Sequence, residues 1–113
     1  MPVFKIIALA FFTVFSLTSC ATGSVIVTGT VRPAIEPSEV RILMSAPSAF
    51  ETIGIVEAVG EGFSRQAVQD RVMDELRRRA ARVGANGVLL TETGDGVTGA
   101  LTGRGLAIFI IQD

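Results

Sequence analysis

The sequence contains no histidine, no tryptophan and no tyrosine, and it has one cysteine, Cys20. Zinc and copper sites draw mainly on imidazole and thiolate ligands, so these absences exclude most transition-metal chemistry. An oxygen-only calcium or magnesium site is the metal chemistry that the composition still permits. One cysteine cannot pair with itself, which rules out an internal disulfide framework. An excess of positive charge is also missing: 10 Lys and Arg stand against 11 Asp and Glu, a formal net charge of −1. Binding to nucleic acid rests on a basic excess that neutralises phosphates. With that excess absent, and only Phe50, Phe63 and Phe109 left as aromatics beyond Cys20, nucleic acid is not an expected partner.

What is present begins with the first 20 residues. Met1 and Lys5 give a positive start, and residues 6–17 form an apolar run softened only by Thr13 and Ser16. A membrane-spanning helix needs about 20 apolar residues; this run is shorter and ends in small residues, the layout of a secretory signal. Leu17, Thr18, Ser19 and Cys20 resemble the lipobox of bacterial lipoproteins. The resemblance implies cleavage before Cys20 and acylation of that residue with palmitate-like chains. A single chain anchors only reversibly, at about 0.8 kcal/mol per buried methylene, so three chains make attachment effectively permanent. The next residue is Ala21 rather than aspartate, which in a Gram-negative cell implies the outer membrane, facing the periplasm. The expected organisation is a signal peptide over residues 1–19, a lipidated tether over 20–24 and one domain over 25–113, too short for a second core.

Within that domain, residues 25–31 (VIVTGTV) are β-branched apart from glycine and read as a strand ended by Arg32-Pro33. Residues 40–44 (VRILM) read as a short strand between Pro37 and Pro47. Residues 53–59 (IGIVEAV) are apolar on both faces, the pattern of a strand covered on both sides. A helix is predicted over 65–83, with Ser64 as N-cap and Gly84 at C′. Its apolar stripe is Val68, Val72, Leu76, Ala80 and Val83, with Met73 beside it. Gln69, Asp70, Asp74, Glu75, Arg78 and Arg82 take the opposite face, with Asp74–Arg78 and Glu75–Arg79 spaced to pair. Residues 88–91 form a second buried strand, 93–104 a glycine-rich loop, and 105–111 a last strand returning antiparallel beside 88–91. Strand, helix and strand in this order make a βαβ unit with parallel strands. The expected fold is α+β: one amphipathic helix on a small mixed sheet of about four strands.

Residues 51–59, the helix, residues 80–88 (AARVGANGV) and the final strand resemble the core of small envelope proteins of the YbjQ and RcsF types. Those families share a βαβ core in which the helix ends in an Ala-rich turn, then Gly-Ala-Asn and a buried strand. The RcsF type signals envelope stress and is held by two disulfides. This chain lacks the cysteines for them, so the resemblance implies the fold and not the signalling role. The Thr-Gly-Thr-x-Arg-Pro opening at residues 28–33 is also similar to that of other small bacterial lipoproteins, for which the resemblance implies no activity.

Residues 94–99 (GDGVTG) have the spelling of a dinucleotide fingerprint. That loop works by delivering a pyrophosphate to a helix N-terminus, and here a strand follows, so no nucleotide cofactor is expected. Arg77, Arg78, Arg79 and Arg82 form the one dense basic cluster. They could meet lipid phosphates, but cations also belong at a helix C-terminus, where they complement the dipole. Glu57, Glu92 and Asp95 fall near the carboxyl ends of the two parallel strands, where α/β folds collect ligands. Paired carboxylates can hold a cation; without a nucleophile or a histidine they do not make a catalytic site, so no enzyme is expected. Two readings follow: a membrane-anchored, non-catalytic interaction or structural module that binds an envelope protein, or an envelope sensor of a small ligand or cation built on Glu57, Glu92 and Asp95.

Overall fold

The computed structural model describes residues 21–95 and 100–113. Five strands and one long helix succeed one another as β1 (Ala21–Val27), β2 (Arg41–Leu43), β3 (Ala49–Gly60), α1 (Arg65–Arg82), β4 (Gly87–Asp95) and β5 (Leu101–Gln112), with a 3-10 turn at Pro37–Glu39 before β2. The strands form a single sheet in the order β1-β3-β5-β4-β2. Only β2 and β4 pair in parallel; the other three ladders are antiparallel. The fold is α+β, one helix on a mixed sheet, with five strands where about four were expected.

The βαβ reading holds in direction but not in adjacency. Both β3 and β4 run antiparallel to β5, which lies between them, so β3 and β4 are parallel strands split by the last strand. The expected antiparallel return of β5 beside β4 is present. The glycines of residues 93–104 do not make a loop throughout: Thr93, Gly94 and Asp95 pair with Gly103, Thr102 and Leu101. Residues 96–99 lie outside the described residues, and the next element is β5, not a helix N-terminus.

The helix forms where its caps and stripe place it. The Ser64 hydroxyl accepts from the Ala67 amide, filling one orphan donor of the first turn. At the other end the Ala85 amide donates to the Ala80 carbonyl and the Gly84 amide to that of Ala81, a Schellman close. Gly84 has φ of +79°, a conformation that costs an L-residue about 1–2 kcal/mol. Residues 28–36 cross over this end. The amides of Arg32 and Ile35 donate to the carbonyls of Val83 and Ala81, so the TGTVRP segment helps to satisfy the last turn.

Val68, Val72, Leu76 and Ala80 are buried against the sheet, each of the larger ones contributing about 1.5–3 kcal/mol. Beneath them the sheet offers small residues. Gly23, Ala58 and Gly103 share one cross-strand row, and Gly60, Gly105 and Ala107 stand nearby on the same face. The helix therefore sits close to the strands, and a Cβ on Gly103 would come within 2.9 Å of Val72.

Two details depart from the sequence reading. Residues 21–24, expected as a tether, form the first half of β1 and pair with residues 57–60, because the small side chain of Gly23 lets this strand pass beneath the helix. Glu75, expected on the solvent face, is buried. Its side-chain stem lies over Gly23, where a Cβ would meet its Cγ at 2.8 Å. There its carboxylate takes Arg79 at 2.8 Å and Arg78 at 3.6 Å. Asp74 pairs with Arg77 at 3.0 Å rather than with Arg78.

Candidate functional site: the uncovered face of the sheet

Side chains alternate across a strand, so each row of the register presents one face. The rows through Val56, Ala58 and Ala107 face the helix. The next rows face away from it, and one of them is apolar across the entire sheet: Ile26, Ile55, Leu106, Leu89 and Leu43 are successive cross-strand partners on β1, β3, β5, β4 and β2. At about 4.8 Å between strands the row spans about 19 Å. Ile26 is 63% exposed and the other four are half-buried. Ile110 continues the apolar surface along β5, opposite Phe50, whereas Ile108, opposite Thr52, is fully buried. Small residues thus lie under the helix, while larger aliphatic residues, half-buried along the row from Ile55 to Leu43, occupy the face turned away from it.

The row two residues along is charged: Ser24, Glu57, Arg104 and Glu92 are cross-strand partners. Arg104 stands on β5 between the two glutamates and donates to the Glu57 carboxylate at 3.0 Å. That hydrogen bond, then the charges of Glu57 and Glu92, raise the Arg104 pKa above its ordinary value. The Thr91 hydroxyl donates to the Arg104 carbonyl at 3.0 Å, beside the irregularity in β4 between Leu90 and Glu92. Glu57, Thr91, Glu92 and Arg104, with Thr93, Gly94 and Thr102, border a shallow concavity of about 430 Å³.

Of the three carboxylates singled out in the sequence, Glu57 and Glu92 share this row and Asp95 does not join them. Asp95 stands opposite Leu101, in a row of the helix face, and accepts from Arg65 at the start of α1, at 2.9 Å. Among the described residues no group of three or more acidic, histidine or cysteine side chains is placed to hold a metal ion. The residue that sequence reasoning missed is Arg104. Its signal was faint, a lone cation amid the glycines of a segment read as loop; once that segment is a strand, Arg104 falls opposite both glutamates.

Three of the four arginines of the basic cluster are taken up locally. Arg77, Arg78 and Arg79 bind Asp74 or Glu75 on the same helix. Arg77 and Arg78 also line a second hollow of about 820 Å³ between α1 and β2, where Arg41 is paired with Asp113 at 3.0 Å. Asn86 of the Gly-Ala-Asn motif is structural: its side-chain oxygen accepts from the Ile110 amide at 2.6 Å, and its backbone joins Ile108 and Arg41. Cys20 lies outside the described residues.

No family model matches the sequence, and no curated protein matches it. Among solved structures the chain is similar to the Francisella virulence factor FvfA, seen in the crystal structure of its orthorhombic form. The TM-score is 0.63 at 20% sequence identity, covering 80% of this chain and 98% of that one. At that identity the likeness is one of fold alone.

Proposed function

We propose that this chain is a lipid-anchored bacterial lipoprotein that acts as a non-catalytic module of the cell envelope, docking another envelope protein on the sheet face opposite its helix. The observation that carries the docking is the apolar row from Ile26 to Leu43. Residues 53–59 have the composition of a strand covered on both sides, and among the described residues the helix covers one. A partner with an apolar patch would complete the second layer that a sheet of this composition calls for. The row of Glu57, Arg104 and Glu92 would form the polar margin that such interfaces carry. Anchoring rests on Leu17, Thr18, Ser19 and Cys20, and Ala21 favours the outer membrane, facing the periplasm, in a Gram-negative cell.

Two measurements test the parts separately. Cys20→Ser should move the protein out of the membrane fraction; a wild type already soluble and unacylated would remove the anchor. For the docking face, a photo-crosslinking amino acid at Leu106 should yield one discrete adduct in cells, and the same probe at Asp70, on the solvent side of α1, should not. Equal labelling from both positions, or none from Leu106, would overturn the assignment of the face.

A further inference from the structure

We infer that Phe63 enters the lipid surface beside the acylated Cys20, so that the domain is held upright by a second contact at the end of the sheet nearest its anchor. This rests on the anchoring proposed above. The placement follows from the register. Ala21, Gly60, Leu101 and Asp95 are successive cross-strand partners on β1, β3, β5 and β4, so they form the last row at one end of the sheet. Cys20 is bonded to Ala21, and consecutive Cα atoms are about 3.8 Å apart. With β1 beginning at Ala21 and no tether between, acyl chains on Cys20 bring this row down to the headgroups.

Phe63 is in the loop at the same end. It follows Gly60 by three residues, no more than about 11 Å of extended chain, and precedes the Ser64 cap of α1. Its ring is 113% exposed, the most exposed of the large hydrophobic side chains described. The other two aromatics of the domain have work within the fold: Phe109 stacks under Arg32 at 3.8 Å and Phe50 is half-buried beside β5. Charge does not oppose insertion strongly, because Asp95 is neutralised by Arg65 at 2.9 Å and Glu61 is the one further acid of the loop. Phenylalanine is one of the residues by which interfacial segments bury apolar area at the headgroup boundary, and such a contact adds to an acyl anchor by burying area in the same lipid. Because the acyl chains already hold the protein, the effect of Phe63 is on orientation. Two separated contacts suppress pivoting about Cys20 and leave the apolar face of the sheet turned sideways, open to a partner along the membrane.

The absence of tryptophan supplies the test. Phe63→Trp, in the full acylated protein reconstituted into phosphatidylethanolamine and phosphatidylglycerol vesicles, carries a single indole reporter. Its emission should shift to the blue on reconstitution and should be quenched when the vesicles contain lipids brominated near the headgroup end of the acyl chain. A membrane-bound protein whose indole emits as in water, unquenched, would overturn the inference while leaving the anchor standing. A blue shift without bromine quenching would overturn it too, since protein and not lipid would then cover the ring. Wild type absent from the membrane fraction would remove the anchor itself, and this contact with it. Phe63→Ser should keep the melting temperature and the membrane fractionation, which separates lipid contact from a role in folding.

Discussion

Arg104 is the residue whose surroundings say most about what the carboxylates do. It stands between Glu57 and Glu92, and removing its charge leaves two acids on the strands either side of β5, on one face, with no cation between them. Arg104→Gln should therefore lower the melting temperature at low ionic strength, and the gap to wild type should narrow in high salt as repulsion is screened. Wild type should show no rise in melting temperature with calcium, since the cation of this row is already supplied by the chain. A calcium-dependent rise that Glu92→Gln abolishes would restore the sensor reading. Glycines make a second test at this scale. Gly84→Ala combines a left-handed backbone with a Cβ lying 2.6 Å from the Arg32 backbone, and should cost at least about 2 kcal/mol by urea denaturation. Gly94→Ala meets nothing within 4 Å and should stay within about 0.5 kcal/mol of wild type.

At the scale of elements, the helix was legible and the ends of the strands were not. Its stripe, its Ser64 cap and its Gly84 stop are local signals of helical period and capping, and all of them hold in the structure. The bounds of β1 depend on something no local pattern carries, the space under Glu75 and Arg79 into which Gly23 fits. A glycine beside serine and threonine reads as a tether until its position beneath a helix is known. The same holds for the extended hairpin of β4 and β5, where Gly103 is needed because Val72 and Leu76 descend onto it. Glu75 was misplaced for a related reason: periodicity assigns a residue to a face, but a neighbouring glycine can draw a boundary residue inward. Gly23→Val should consequently destabilise the domain by about 1–3 kcal/mol through overpacking against the helix. A substitution in a free tether would cost nothing, so an unchanged urea midpoint would remove residues 21–24 from the folded unit.

For the molecule as a whole, the composition of the strands hints at a second apolar face that only the topology makes visible. Residues 53–59 read as covered on both sides, but which face the helix takes, and that one helix is all there is among the described elements, depends on the order β1-β3-β5-β4-β2. That order carries Ile26, Ile55, Leu106, Leu89 and Leu43 from five separate stretches of sequence into one line, a juxtaposition no spacing rule could give. It also separates two kinds of apolar residue by consequence. Val72 is fully buried under the helix, and Val72→Asp would place an unpaired charge in the core and should unfold the domain. Leu106 is half-buried on the open face, and Leu106→Lys can extend its ammonium into water along the sheet. The variant should keep its circular dichroism, melt within a few degrees of wild type, remain in the membrane fraction, and lose the adduct formed from a photo-crosslinker placed at Leu89. If Leu106→Lys instead melts as early as Val72→Asp, the open face belongs to the core of the fold and not to a partner. If the adduct at Leu89 survives unchanged, the partner grips some other surface, and the apolar row requires a different occupant.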